Sequence, residues 1–198
     1  MVEQGSPEWL AMRCGKATAS RMADVLAKTK TGWGAGRGNY RAQLVAERLT
    51  GVVAESYTNA AMEWGTAMEG EARSAYSFYC DADVVPVDFV VHPEIAMSGC
   101  SPDGLVGEHG LVEIKCPNTA THIETLLGGS IPGKYRYQML WQMACTGRQW
   151  CDFVSYDPRM PEDMRLFVQR LARNGAIDCA IAEMAAEVVA FLAEVDET

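Results

Sequence analysis

Apolar positions recur along the chain at two periods, and the switches between them mark out the elements. At helical spacing, Met22, Val25 and Leu26 share one face of residues 18–27, and Met68, Ala72 and Tyr76 share one face of residues 59–80. Asn59 is a candidate cap for that longer helix. A first helix opens at Ser6, with Pro7 at its first position and Glu8 in its first turn. Further helices are predicted over residues 39–51, closed by Gly51, and over 119–129, 134–147 and from about Gly175 onward.

The strand period appears in shorter pieces. "VVPVDFVV" (residues 84–91) predicts a strand, and Pro86 marks an edge or a bulge in it. "GLV" and "LVEIK" (residues 104–106 and 111–115) are two apolar strands joined by a tight "GEHG" connection. "WCDFVSYD" (150–157) and "MRLFVQRL" (164–171) complete the set. Helices and strands mix without strict alternation, which predicts an α/β fold with a central mixed sheet flanked by helices.

Two glycine-rich stretches need separate reading. "TKTGWGAGRGN" (29–39) lacks the G-x-G-x-x-G order and follows no strand, so it predicts a basic loop able to approach DNA rather than a dinucleotide site. "GGSIPGK" (128–134) nearly spells a phosphate-binding loop. Tyr135 stands where a magnesium-binding serine or threonine belongs, and a helix precedes it, so a helix-to-helix turn is predicted.

The chain has 198 residues, 48% of them hydrophobic, enough for one globular domain over residues 1–198. It contains no apolar run of membrane-spanning length, and "MVEQGSPEW" has neither the basic nor the apolar region of a signal peptide. A soluble, cytoplasmic protein is expected. Seven cysteines with no C-x-x-C spacing fit buried thiols in a reducing compartment better than a disulfide framework or zinc knuckle. The net charge of −9 opposes nucleic-acid binding in bulk, but it is unevenly spread. Eight basic residues fall between Arg13 and Arg48, while residues 176–198 hold six acids and no lysine or arginine. This asymmetry is either a local positive surface or an ordinary solvated helix face.

The candidate chemistry lies on the short hairpin. Glu113 and Lys115 are two apart on a strand and point to the same face. Asp103 precedes the partner strand, so a tight hairpin returns all three groups to one place. Two carboxylates and a strand carbonyl make a partial oxygen shell for a hard cation such as Mg²⁺, with room left for phosphate and water. By spacing alone, D-x9-E-x-K reads first as a surface turn with a Glu–Lys pair, since such spacings are common by chance. Glu69, Arg13, Ser20 and Gln138 read by themselves as surface or capping residues, and Trp64, Trp141 and Tyr137 as core.

An ordered series of motifs points further. "EWLAMRCGKATAS", "WGTAMEGEAR", "SGCSPDGL", "LVEIKCP" and "YQMLWQMACTG", ending near "YDPRMP", resemble the phage lambda exonuclease and YqaJ-type viral recombinase family over residues 8–160. Pro102-Asp103 and Glu113-Ile114-Lys115 resemble the PD-(D/E)XK nuclease signature that this family carries. The resemblance implies a restriction-endonuclease-like fold and Mg²⁺-dependent 5′→3′ exonuclease action on double-stranded DNA ends, with Mn²⁺ as a substitute. It implies Asp103, Glu113 and the Ile114 carbonyl as metal ligands and Lys115 as the catalytic lysine. Glu69 and Gln138 would lie beside the metal. Arg13, Ser20 and Ser101 would handle phosphate near the 5′ end, with Lys30 in a basic loop nearby. Leu140 departs from the second glutamine common in the family's helix, although Gln142 is present. A toroidal homotrimer and a single-strand annealing protein as partner also follow from the resemblance alone. The rival readings are an endonuclease or Cas4-like iron–sulfur nuclease on the same core, and a catalytically silent DNA-end-binding module.

Overall fold

A computed structural model describes residues 2, 4–53 and 60–198. The first third holds α1 (Pro7–Arg13), β1 (Ala17–Thr18), a 3-10 turn (Ala19–Arg21), α2 (Met22–Val25), the hairpin β2 (Lys28–Thr29) and β3 (Gly32–Trp33), and α3 (Ala35–Thr50). Then follow α4 (Ala60–Cys80), β4 (Val84–Val85), β5 (Val90–Val91), β6 (Ser98–Cys100), β7 (Gly104–Val106) and β8 (Gly110–Lys115). The chain continues through α5 (Thr119–Gly128), α6 (Gly133–Thr146), β9 (Trp150–Tyr156), β10 (Leu166–Ala172) and α7 (Gly175–Asp196).

The central sheet has the order β10-β9-β8-β7-β4, with β8 and β9 parallel and the other neighbours antiparallel. A smaller sheet, β1-β6-β5, stands beside it. Helices cover both faces of the central sheet. On one face Leu111, Phe153 and Leu171 join a core with α3, α6 and α7; on the other, Val112, Ile114 and Val154 pack against Ala72 and Tyr76 of α4. β8 is thus covered on both sides, which explains its nearly unbroken apolar sequence. Within it, Leu111, Glu113 and Lys115 point one way and Val112 and Ile114 the other, as the pleat requires. The two charges therefore project from the face that α6 packs on.

Local signals act as expected at several ends. Ser6 Oγ accepts from Trp9 N to cap α1, and Asn118 caps α5 in the same way. Gly51 closes α3 at φ 69°, a left-handed conformation that glycine adopts without strain. The turn between α5 and α6 falls on "GGSIPGK". The predicted cap Asn59 lies outside the described residues.

Three expectations change. Residues 84–91 are not one strand: β4 edges the central sheet and β5 joins the small one, with Pro86 in the break. The stretch 29–39 is not a plain loop. It makes the β2–β3 hairpin, and α3 already begins at Ala35, so Arg37 is a buried helical residue. Nor do the basic residues of the first third form one free surface. Lys28 pairs with Glu187 at 2.9 Å, Arg37 and Arg41 with Glu194, and Arg48 with Asp196, all on α7. The acidic last helix lies against the basic run rather than away from it.

All seven cysteines are free, and four of them are buried. Among the described residues no helix is long and apolar enough to cross a membrane.

Candidate active site on the β7–β8 hairpin

Asp103 sits just before β7, and its Oδ2 accepts a hydrogen bond from the Ile114 backbone N–H at 2.6 Å. That bond pins the aspartate to the strand that carries the other two charges. Glu113, fully buried, takes the Lys115 ammonium on Oε1. The same oxygen accepts from Gln138 Nε2 at 2.6 Å. The other oxygen, Oε2, accepts from Gln142 Nε2. Gln138 and Gln142 are four apart on α6, hence on one face of it, and that face lies over β8. The hairpin can hold a buried carboxylate because each of its oxygens meets a donor.

The charges perturb one another. Burial pushes the Asp103 carboxyl well above its usual range, and the nearby charges of Glu113 and Glu69 push it the same way against the pull of Lys115. Burial pulls the Lys115 ammonium down, but Glu113 and Asp103 outweigh it and hold the group above its ordinary value. Carboxylates that crowd each other in this way favour an added cation. Burial, with Glu113 nearby, keeps the Cys151 thiol protonated, and its Sγ donates to Gln142 Oε1 at 3.7 Å.

A cleft of about 670 Å³ opens beside Asp103, lined also by Glu69, Arg73, Trp9 and Pro102. Glu69 accepts from Arg73, one turn on in α4, at 2.6 Å. Among the described residues no three Asp, Glu, His or Cys side chains gather closely enough to enclose a metal ion. Asp103 and Glu113, with the Ile114 carbonyl, could hold a hard cation only as a partial oxygen set that leaves the remaining positions to water and substrate.

A second cavity of about 490 Å³ adjoins this cleft across Trp9 and is lined by Arg13, Lys16, Ser20, Arg21 and Tyr40. The Arg13 guanidinium lies 4.0 Å from the centre of the Trp9 ring, and its Nη1 donates to Ser101 Oγ at 3.5 Å. The Trp9 indole N–H donates to the same hydroxyl at 3.1 Å. Arg13 and Ser20 thus line one cavity, and Ser101, two residues before Asp103, meets it through its hydrogen bond from Arg13. Lys30 does not join them; it is exposed in the β2–β3 turn, away from the cavity lining.

Sequence reasoning noted Gln142 without giving it a role. Gln142 reaches Glu113, while Leu140 faces the core, so the helix offers its second amide two positions later than expected. Spacing points to it, because a residue at i+4 shares a helix face with Gln138. Tyr137, read as core, is 41% exposed, whereas Trp141 is fully buried.

The profile of the YqaJ-like viral recombinase domain matches residues 8–149. Among solved structures, an alkaline exonuclease of Laribacter hongkongensis, LHK-Exo, is 53% identical, with a TM-score of 0.89 over 97% of this chain and 93% of that one. A complex of LHK-Exo with dAMP matches equally well, at 53% identity, TM-score 0.89 and the same coverage of 97% and 93%. A phage-related exonuclease of Haemophilus somnus 129PT shares the fold at 13% identity, with a TM-score of 0.66 over 89% of this chain and 92% of that one. No curated protein matches the sequence.

Proposed function

Because the chain belongs to the YqaJ-like viral recombinase family, we propose that it is a phage-type exonuclease which, with Mg²⁺ or Mn²⁺, removes nucleotides 5′→3′ from one strand of linear double-stranded DNA. The observation that carries this reading is the buried Glu113, held by Lys115, Gln138 and Gln142 beside Asp103. The 53% identity to LHK-Exo supports exonuclease action, and that neighbour's complex with dAMP supports a site sized for a nucleoside monophosphate.

Asp103, Glu113 and the Ile114 carbonyl would hold the divalent ion. When bound, the ion supplies charge that polarises the scissile phosphoryl group and eases loss of a proton from the attacking water. Lys115 is kept protonated by its carboxylate neighbours, and it offers a fixed positive charge to the phosphoryl oxygens as negative charge builds up. Gln138 holds the Glu113 oxygen that Lys115 also uses, so ligand and ammonium stay in register. Glu69 adds negative charge on the cleft side and is itself steadied by Arg73.

Arg13, Ser20 and Ser101 receive the terminal 5′-phosphate. A guanidinium stacked on Trp9 is already oriented, so little side-chain freedom is lost on binding. Water oxygen bonds to phosphorus and the bond to the leaving 3′-oxygen breaks. The first nucleotide departs with its 5′-phosphate, and the shortened strand carries a fresh 5′-phosphate into the same pocket. Repetition leaves a 3′ single strand, the substrate of a single-strand annealing protein. Family membership supports that partner and a homotrimeric ring, which light scattering would test.

The reading is tested with a linear duplex labelled at either the 5′ or the 3′ end, next to a nicked circle. Early release of 5′ label as mononucleotide, with 3′ label retained in long fragments, is expected. Early 3′ release would reverse the polarity. Linear fragments of intermediate length from the nicked circle would replace the exonuclease by an endonuclease.

A further inference from the structure

We propose that Gln142 and Cys151 form a positioning relay for Glu113, in which the thiol fixes the orientation of the amide and the amide fixes the carboxylate. The inference rests on the reading of Glu113 as a metal ligand. Gln142, Cys151 and Glu113 are all fully buried, so water is not available to satisfy any of them. A glutamine side chain can present either its oxygen or its nitrogen to a neighbour, and the two ends differ little in shape. Here both ends have a partner of fixed character. The carboxylate Oε2 accepts only, so it requires the Nε2 end. Cys151 Sγ, at 3.7 Å, donates to the Oε1 end. A flipped amide would set its oxygen against the carboxylate and leave the thiol facing N–H groups. Each mismatch would place like partners together in a dry site, where an unmet polar group is costly.

The two contributors sit on different elements. Gln142 is on α6 and Cys151 on β9, whose Cα partner across the parallel ladder is Leu111 of β8. The relay therefore ties helix, neighbouring strand and ligand strand into one triangle around Glu113. Gln138 holds Oε1 from a turn earlier on the same helix. With both oxygens held from one side, the Glu113 carboxylate has no freedom to rotate. Groups that orient a ligand in this way typically change metal affinity or activity by about 10–100-fold when removed. A thiol suits the position because it donates weakly and fills apolar space, so it steers the amide without competing for the carboxylate.

The experiment measures Mn²⁺ binding to DNA-free protein by calorimetry, alongside thermal midpoint and single-turnover cleavage of a 5′-phosphorylated duplex. The variants are Gln142→Met, Cys151→Ala, Cys151→Ser and the core control Met143→Ala on the same helix. Gln142→Met keeps the volume and removes the donor. It is expected to weaken Mn²⁺ binding about tenfold or more, with kcat falling more than KM changes. Cys151→Ala should move the same way by a smaller factor, and Cys151→Ser, which restores a donor, should recover it. Met143→Ala should lower the thermal midpoint and leave Mn²⁺ affinity unchanged. A folded Gln142→Met protein with wild-type Mn²⁺ affinity and rate would overturn the relay. If Gln142→Met does not fold, Cys151→Ala and Cys151→Ser proteins that both bind Mn²⁺ like wild type would overturn it equally. Wild-type protein that binds no Mn²⁺ would remove the metal-ligand reading itself and the relay with it, which separates the two failures.

Discussion

Arg37 Nη2 lies 2.6 Å from Glu194 Oε1, joining a helix near the start of the chain to the last helix. The guanidinium is buried, donates also to the Val25 carbonyl at 2.6 Å, and stacks 3.8 Å from the centre of the Trp33 ring. With Lys28–Glu187 and Arg48–Asp196 it forms an ionic seam along α7. The seam uses up much of the basic run that an acidic DNA-binding protein would otherwise offer to phosphate. Arg13 and Lys16, which line the smaller cavity, make no ion pair among the described residues. Two cations without an ion-pair partner among the described residues thus face one cavity.

Arg37→Met should therefore lower stability without weakening DNA binding. A loss of about 2 kcal/mol is expected, below the full cost of breaking a buried pair because Glu194 remains partly in water. Urea unfolding and a DNA-binding titration on the same protein check this. A loss of DNA affinity in a fully folded variant would move Arg37 to the substrate surface.

Removing the guanidinium at the cavity should have the opposite profile. Arg13→Ala should fold normally and lose most of the preference for 5′-phosphate over 5′-hydroxyl ends, since a charge-assisted hydrogen bond to phosphate is the contact removed. Initial rates on the two duplexes give the ratio directly. A ratio equal to wild type would place the terminal phosphate elsewhere.

Much of this was legible in the sequence. The hairpin chemistry needs only the pleat: Glu113 and Lys115 share a face because they are two apart, and Asp103 returns to them because the turn is short. The pairing of α7 with the basic run was not legible, since it depends on packing between residues about 150 positions apart. Periodicity also cannot tell one strand from two. Val84–Val85 and Val90–Val91 read as one run because Pro86 marks a break without saying that the chain changes sheets there. Gln142 was within reach of helical spacing, but Cys151 was not, because a lone buried cysteine carries no sign of the amide it touches.

Stability at acid pH should pass through Asp157. Its carboxylate is disfavoured by burial, yet hydrogen bonds from Arg159 and Thr119 outweigh this and hold its pKa at about 2. A pKa lowered in the folded state stabilises above the unfolded value and loses that contribution as pH falls through the folded one. Asp157→Asn should thus be clearly less stable than wild type at pH 7, with the gap narrowing from about pH 4 down towards 2. Urea midpoints at pH 7, 4 and 3 measure the gap. A gap that stays constant would mean Asp157 acts through shape rather than charge.

Divalent-ion dependence should follow the partial oxygen shell. Excess chelator should stop cleavage, Mg²⁺ or Mn²⁺ should restore it, and Ca²⁺ should bind with little turnover because its larger, looser shell places water poorly. Mn²⁺ and Ca²⁺ titrations of chelated enzyme, read by calorimetry and by rate, separate binding from turnover. Full activity in chelator would exclude a metal role for Asp103 and Glu113.

The most direct test of the account is single-turnover cleavage of a 5′-phosphorylated linear duplex by Glu113→Gln in Mg²⁺. The variant keeps the size of the side chain and removes the charge that Lys115, Gln138 and Gln142 surround. The account predicts a folded protein that still binds duplex ends and cleaves at least about a hundredfold more slowly than wild type, because the carboxylate that would hold the cation's stabilising charge in place is lost. Cleavage within tenfold of wild type would contradict it, because the chemistry would then have to lie outside the hairpin.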